Sequence, residues 1–120
     1  MHIPTLSRRI AILCGILLLA LALPLPAAAG GSGPMAKVSI KKMAYHPAEI
    51  TVKAGTTITW SNDEYGATYH SVTSDAEGQF DSADFFPEES WSYTFGTPGT
   101  YPYHCTPHKN RMKGVVVVTP

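Results

Sequence analysis

Apolar residues alternate with polar ones in short runs along most of the chain, and turn residues such as Pro98-Gly99 separate the runs. Successive side chains of a β-strand point to opposite faces, so alternation with a period of two predicts strands with one buried face. Together with the regular turns, it predicts an all-β sandwich of about eight strands. The residues 75–88 leave room for one more short strand or a helical turn. The clear runs are 38–41, 50–53, 57–60, 70–72, 91–95, 101–105 and 115–118.

The N-terminal segment has the features of a cleavable signal peptide. Arg8 and Arg9 precede an apolar run over residues 10–23, and small residues follow at Ala27 to Ala29. The apolar run is shorter than the roughly 20 residues that a membrane-spanning helix needs. We therefore expect export to the periplasm, by the secretory or the twin-arginine route, and no stable membrane insertion after cleavage. The predicted boundaries are 1–29 for the signal peptide, 30–36 for a flexible lead-in and 37–120 for the folded domain.

Without that leader the chain is mildly acidic and has one cysteine. The full sequence has nine Lys plus Arg and nine Asp plus Glu, so loss of Arg8 and Arg9 leaves a net charge of −2. Nucleic-acid-binding domains are usually basic, so we expect no nucleic-acid partner. Cys14 leaves with the leader, so Cys105 cannot form an internal disulfide in an oxidising compartment. Cys105 is therefore either a buried, inert thiol or a ligand.

One loop near the C-terminal end combines three side chains that bind soft metals. Cys105 offers a thiolate, His108 an imidazole and Met112 a thioether. Soft sulfur ligands with imidazole suit copper, and two His, one Cys and a long axial Met form the blue-copper set. The second imidazole must come from elsewhere, and His70 fits because it begins a predicted strand. We predict one type 1 copper ion, cycling between Cu(I) and Cu(II), held by these four side chains.

Each of the four side chains has an ordinary interpretation when taken alone. His70 and His108 are then surface or loop residues, and Cys105 and Met112 fill the core. The combination at one end of one sandwich favours the metal site. Cys105 and His108 could also form a nucleophile pair, but the sequence offers no evident orienting carboxylate, so we do not expect an enzyme. A binuclear copper centre would need a second cysteine.

Several segments of the predicted domain resemble the cupredoxins, the blue type 1 copper proteins, and within them the plastocyanin-like group. The last of these segments is similar to the ligand loop of the amicyanins, although Met112 follows His108 by one residue more than in that loop. The resemblance implies a Greek-key β-sandwich, a copper cofactor and the ligand roles predicted above. The segments that carry it are 45–52, 55–62, 79–82 and 98–108.

The resemblance also implies a periplasmic carrier that shuttles single electrons between a redox donor and an acceptor, with the outer edge of His108 as the electron port. Lys109, Arg111 and Lys113 surround the ligand loop, and we expect them to face an acidic patch on a redox partner. We expect a monomer. The alternative is a copper-binding or copper-delivery protein without electron transport, which would use the same ligands.

Overall fold

The computed structural model describes residues 33–120, which form two β-sheets of four strands each. The first sheet has the strand order β2-β1-β4-β6, and the second has the order β3-β8-β7-β5. Two neighbouring pairs, β1 with β4 and β3 with β8, are parallel, and the other pairs are antiparallel. The strands are β1 (Met35–Lys41), β2 (Ala44–His46), β3 (Glu49–Lys53), β4 (Thr56–Asn62), β5 (Thr73–Ser74), β6 (Ser90–Phe95), β7 (Gly99–His104) and β8 (Lys113–Thr119).

The apolar faces of the two sheets form the core, as the alternating pattern predicts. In β8, Val116 and Val118 are buried, and their neighbours in the strand are half-buried. Trp60 of β4 and Tyr103 of β7 are fully buried, and the Trp60 Nε1–H donates a hydrogen bond to the Tyr103 hydroxyl at 3.1 Å. This bond satisfies two polar groups inside the core, which are costly when unpaired. The predicted all-β sandwich of about eight strands is confirmed.

Two details of the strand prediction differ from the structure. Strand β1 begins at Met35, inside the predicted lead-in, because Met35 pairs with Thr57 of β4. His70 does not begin a strand but forms an isolated bridge with Phe85. Close by, the Val72 N–H donates to the side-chain oxygen Ser82 Oγ at 2.7 Å and not to a backbone carbonyl of a neighbouring strand. The predicted signal peptide lies outside the described residues.

The start of β7 carries a tyrosine corner. The Tyr101 hydroxyl donates to the Thr97 carbonyl oxygen, four residues earlier, at 2.6 Å. Such a bond fixes the turn that enters the strand. Strand β7 then runs from Gly99 to His104 and delivers Cys105 to the end of the sandwich.

Gly114 has no space for a larger side chain, so we expect Gly114→Ala to be strongly destabilising. A Cβ at this position would lie 2.3 Å from Tyr103 Cζ, inside a packed core. We expect the free energy of unfolding of the metal-free protein to fall by about 1–3 kcal/mol, the usual cost of overpacking. Urea denaturation measures this change. Gly96→Ala is the matched control, since no atom lies within 4 Å of its Cβ position; equal losses in both variants would contradict the expectation.

Candidate metal centre

Three of the four predicted ligands come together at one end of the sandwich. His70 follows β4 and its loop, Cys105 follows β7 directly, and His108 lies in the turn before β8. Their donor atoms all lie within 4.8 Å of one another. Cys105 Sγ is 3.7 Å from His70 Nδ1 and 3.5 Å from His108 Nδ1. Two imidazole nitrogens and one sulfur are therefore close enough to bind the same metal ion.

The turn between β7 and β8 is closed by backbone hydrogen bonds that place His108 and Met112. The Cys105 N–H donates to the Met112 carbonyl oxygen at 3.1 Å, and the His108 N–H donates to the Cys105 carbonyl oxygen at 3.2 Å. The Met112 N–H in turn donates to the His108 carbonyl oxygen at 3.0 Å. The Met112 side chain is buried in the same core cluster as Cys105. The fourth predicted ligand thus belongs to the same closed turn.

Burial sets the protonation of the donor groups. His70 and Cys105 are fully buried, whereas His108 is half-buried. Burial lowers the pKa of His70, which keeps its imidazole neutral and its Nδ1 lone pair available. Burial also raises the pKa of the Cys105 thiol, although the Ser71 N–H opposes this change. A bound metal cation would instead lower the pKa of the Cys105 thiol, because a coordinated thiol loses its proton outright.

Ser71 links the two sides of the site. The Ser71 N–H points at Cys105 Sγ at 3.4 Å, and Ser71 Oγ accepts a hydrogen bond from the Thr106 N–H at 2.8 Å. The Ser71 carbonyl oxygen accepts the buried hydroxyl of Tyr45 at 2.6 Å. The first two bonds hold the sulfur-bearing loop against the segment that carries His70, and the third ties that segment to β2.

Glu64 is a site residue that the sequence interpretation missed. Its Oε1 lies 3.3 Å from His70 Nε2 and accepts the Met43 N–H at 2.6 Å. Burial opposes ionisation of Glu64, but the hydrogen bonds from the Met43 and Lys42 amides and from His70 outweigh it and lower the pKa of Glu64. The ionised carboxylate favours the His70 tautomer with its proton on Nε2. This leaves the lone pair of Nδ1 free on the side of Cys105. No local pattern marks this residue, because the contact depends on how the loop folds back.

The other described histidines lie apart from this cluster. His104 points away from Cys105 along the strand, and its Nδ1 contacts Asp75 Oδ1 at 2.5 Å. His46 is exposed, and its Nε2 contacts the Lys41 carbonyl oxygen at 2.9 Å. Neither of these two histidines belongs to the cluster of donor atoms in the described part of the chain.

Comparison with known proteins decides the family. Residues 34–119 match the model of the copper binding proteins, plastocyanin/azurin family. The chain belongs to this family. It is 44% identical over 85 residues to amicyanin from Paracoccus denitrificans, an alignment that covers 68% of this chain and 63% of that protein. It is 34% identical over 87 residues to plastocyanin from Scenedesmus fuscus, covering 63% of this chain and 87% of that protein.

Solved structures show the same relationship. A Cu(I) structure of an amicyanin variant matches with a TM-score of 0.63 and 37% identity, covering 71% of this chain and 82% of that one. The cupredoxin fold predicted from the resemblance is therefore confirmed. Among the described residues, no helix is both long and apolar enough to span a bilayer.

The donor set of this cupredoxin fits a copper ion. It combines one thiolate-forming cysteine, two imidazoles and a buried thioether, which is the soft and intermediate ligand chemistry that copper selects. Copper is the cofactor of the plastocyanin/azurin family to which the chain belongs.

Proposed function

We propose that the exported protein is a one-electron carrier whose copper ion is held by His70, Cys105, His108 and Met112. The observation that carries this proposal is the convergence of two Nδ1 atoms and one sulfur within 4.8 Å at the end of a rigid sandwich. Copper supplies a one-electron couple between Cu(I) and Cu(II). Because each donor group is fixed by its own backbone or hydrogen bonds, the change of charge requires little movement of the protein.

His108 is the proposed electron port. It is the one half-buried member of the cluster, and its ring centroid lies 5.1 Å from that of His70. Cys105 and His70 lie behind it and are shielded from solvent. A redox partner that covers the exposed part of His108 therefore comes closest to the donor cluster.

Direct electrochemistry of the copper-loaded protein tests the carrier against the copper-delivery alternative. A carrier gives a reversible one-electron couple and keeps its copper through repeated reduction in the presence of a Cu(I) chelator. Loss of Cu(I) to the chelator during cycling, with no reversible couple, would favour delivery.

Basic residues around the ligand loop are proposed to steer an acidic partner toward His108. Lys109 and Lys113 line a surface cavity of about 310 Å³, and Arg111 is exposed in the same turn. We expect Lys109→Glu with Arg111→Glu to slow oxidation of the Cu(I) protein by hexacyanoferrate(III), a trianion, about tenfold or more at low ionic strength. Stopped-flow spectroscopy at several salt concentrations measures this rate.

A matched control reverses the same number of charges at the other end of the molecule. Lys53 ends β3 opposite Thr119, far along β8 from the ligand loop, and Lys37 lies on β1. Lys37→Glu with Lys53→Glu should change the rate much less. Equal effects of the two double variants, or a rate that does not depend on salt, would contradict local steering.

We also propose that residues 1–29 direct export and are removed, and that the protein is monomeric and not an enzyme. Arg8, Arg9 and the apolar run support export. Glu64, a carboxylate that contacts the donor cluster, is bonded to His70 and not to His108, so it does not orient the Cys105–His108 pair as a nucleophile requires. N-terminal sequencing of the periplasmic protein tests the cleavage site.

A further inference from the structure

A second surface feature lies beside the proposed copper site. It is acidic, whereas the residues around the ligand loop are basic. A cavity of about 430 Å³ is bordered by the aromatic rings of Tyr65 and Phe86 and by two glutamates, Glu64 and Glu88. Tyr65 is 82% exposed and Phe86 is 51% exposed, which is unusual for such large rings. An exposed aromatic surface in a small protein commonly marks an interaction site.

The cavity is structurally tied to the proposed copper site. Its wall residue Glu64 contacts His70, and Phe86 follows Phe85, which is bridged to His70. Tyr69, the residue before His70, packs against Phe86 with ring centroids 5.6 Å apart. A partner that docks over the half-buried His108 at this end is therefore well placed to reach the cavity as well.

The two charged residues that border the cavity are both acidic. Glu88 is exposed, and Glu64 Oε1 accepts the Met43 N–H at 2.6 Å and lies 3.3 Å from His70 Nε2. In the described part of the chain, no lysine or arginine forms an ion pair with either glutamate. Aromatic faces attract cations through their quadrupole, and carboxylates add direct attraction. Two rings with two carboxylates thus form a receptor for a positively charged side chain.

One contact in the structure shows that a ring of this group accepts a cation. The Lys41 ammonium lies 5.5 Å from the centroid of the Tyr65 ring, within the range of a cation–π interaction. Lys41 borders a different cavity, together with Ser39, Lys42 and His46. Lys41 is not among the residues that border the cavity beside Phe86.

We propose that this cavity binds an arginine side chain of the redox partner. A guanidinium is planar, stacks on aromatic rings and pairs with carboxylates, which matches the two kinds of wall in the cavity. The proposal rests on the electron-carrier function, because it assigns a second contact to the same docked partner. The partner then offers acidic groups to Lys109 and Arg111 and a basic group to Glu64 and Glu88, so that opposite charges on the two sides fix its orientation over His108.

The test uses a neutral isostere as its reference. The protein, produced from the full chain, ¹⁵N-labelled and held as Cu(I), is titrated with N-acetyl-arginine methylamide and separately with the citrulline analogue, while amide shifts are recorded by NMR. We expect saturable shifts at Tyr65, Gly66 and Glu88 with the arginine compound, and at least fivefold weaker binding of the citrulline compound. Absence of saturable shifts at these amides, or equal binding of both compounds, overturns the proposal.

Single variants separate the cavity from general electrostatic attraction. Phe86→Leu removes a ring and Glu88→Gln removes a charge, and each should weaken arginine binding about two- to fivefold. Glu77→Gln makes the same charge change outside the cavity and should leave binding unchanged. An equal loss in Glu77→Gln would show that the attraction is nonspecific and overturn the proposal. The redox couple of each variant reports separately on the electron-carrier function, so the two ideas fail independently.

Discussion

Cys105→Ser is expected to abolish the intense blue absorption of the copper-loaded protein. That absorption arises from charge transfer between a thiolate and Cu(II), so it requires the Cys105 sulfur and not merely a bound copper ion. A serine hydroxyl has nearly the same size but is a hard oxygen donor with no accessible charge-transfer band in the visible range. Visible spectroscopy of the variant after addition of one equivalent of Cu(II) measures the effect.

A neighbouring substitution separates loss of the chromophore from general damage. His104 precedes Cys105 but contacts Asp75 on the other side of the strand. We therefore expect His104→Ala to keep the blue colour. If Cys105→Ser retained the band, Cys105 could not be the thiolate ligand.

Met112→Leu is expected to keep the blue colour and to raise the reduction potential. The thioether is a weak axial donor to Cu(II), so its removal destabilises the oxidised state relative to the reduced one. A 10- to 100-fold change in the relative affinity for the two oxidation states corresponds to a rise of about 60–120 mV for a one-electron couple. Cyclic voltammetry measures the midpoint potential. Leucine has a similar volume, so the buried position should stay packed.

An exposed methionine provides the control for this change. Met35 lies at the start of β1 and is 70% exposed, so Met35→Leu should leave the potential unchanged. An unchanged potential in Met112→Leu as well would mean that Met112 is a core residue and not a ligand.

The ligand loop was predictable because its members are close in sequence. Cys105, His108 and Met112 share one turn between two strands, so their proximity follows from chain length alone once the strands are recognised. The alternating pattern of Trp91, Tyr93 and Phe95 likewise predicted a strand, which the structure shows as β6. In these segments local pattern and tertiary structure agree.

The surroundings of His70 were less predictable because they depend on contacts between distant segments. The pairing of His70 with Phe85 and the bond from Val72 to Ser82 join a loop to the irregular segment 75–88, which has no periodic pattern. Glu64 reaches His70 from a loop in which the Glu64 N–H donates to Asn62 Oδ1 at 3.2 Å and its Oε1 accepts the Met43 N–H. Such polar contacts follow from the folded geometry and leave no spacing rule in the sequence.

The most direct test is anomalous X-ray diffraction at the copper edge from crystals of the protein loaded with one equivalent of copper. The two imidazole nitrogens and the sulfur, drawn from segments 35 residues apart, are predicted to surround a single metal ion. We expect one anomalous peak within bonding distance of His70 Nδ1, His108 Nδ1 and Cys105 Sγ, on the side of Met112. A peak elsewhere on the molecule, with these side chains unbound, would contradict the account.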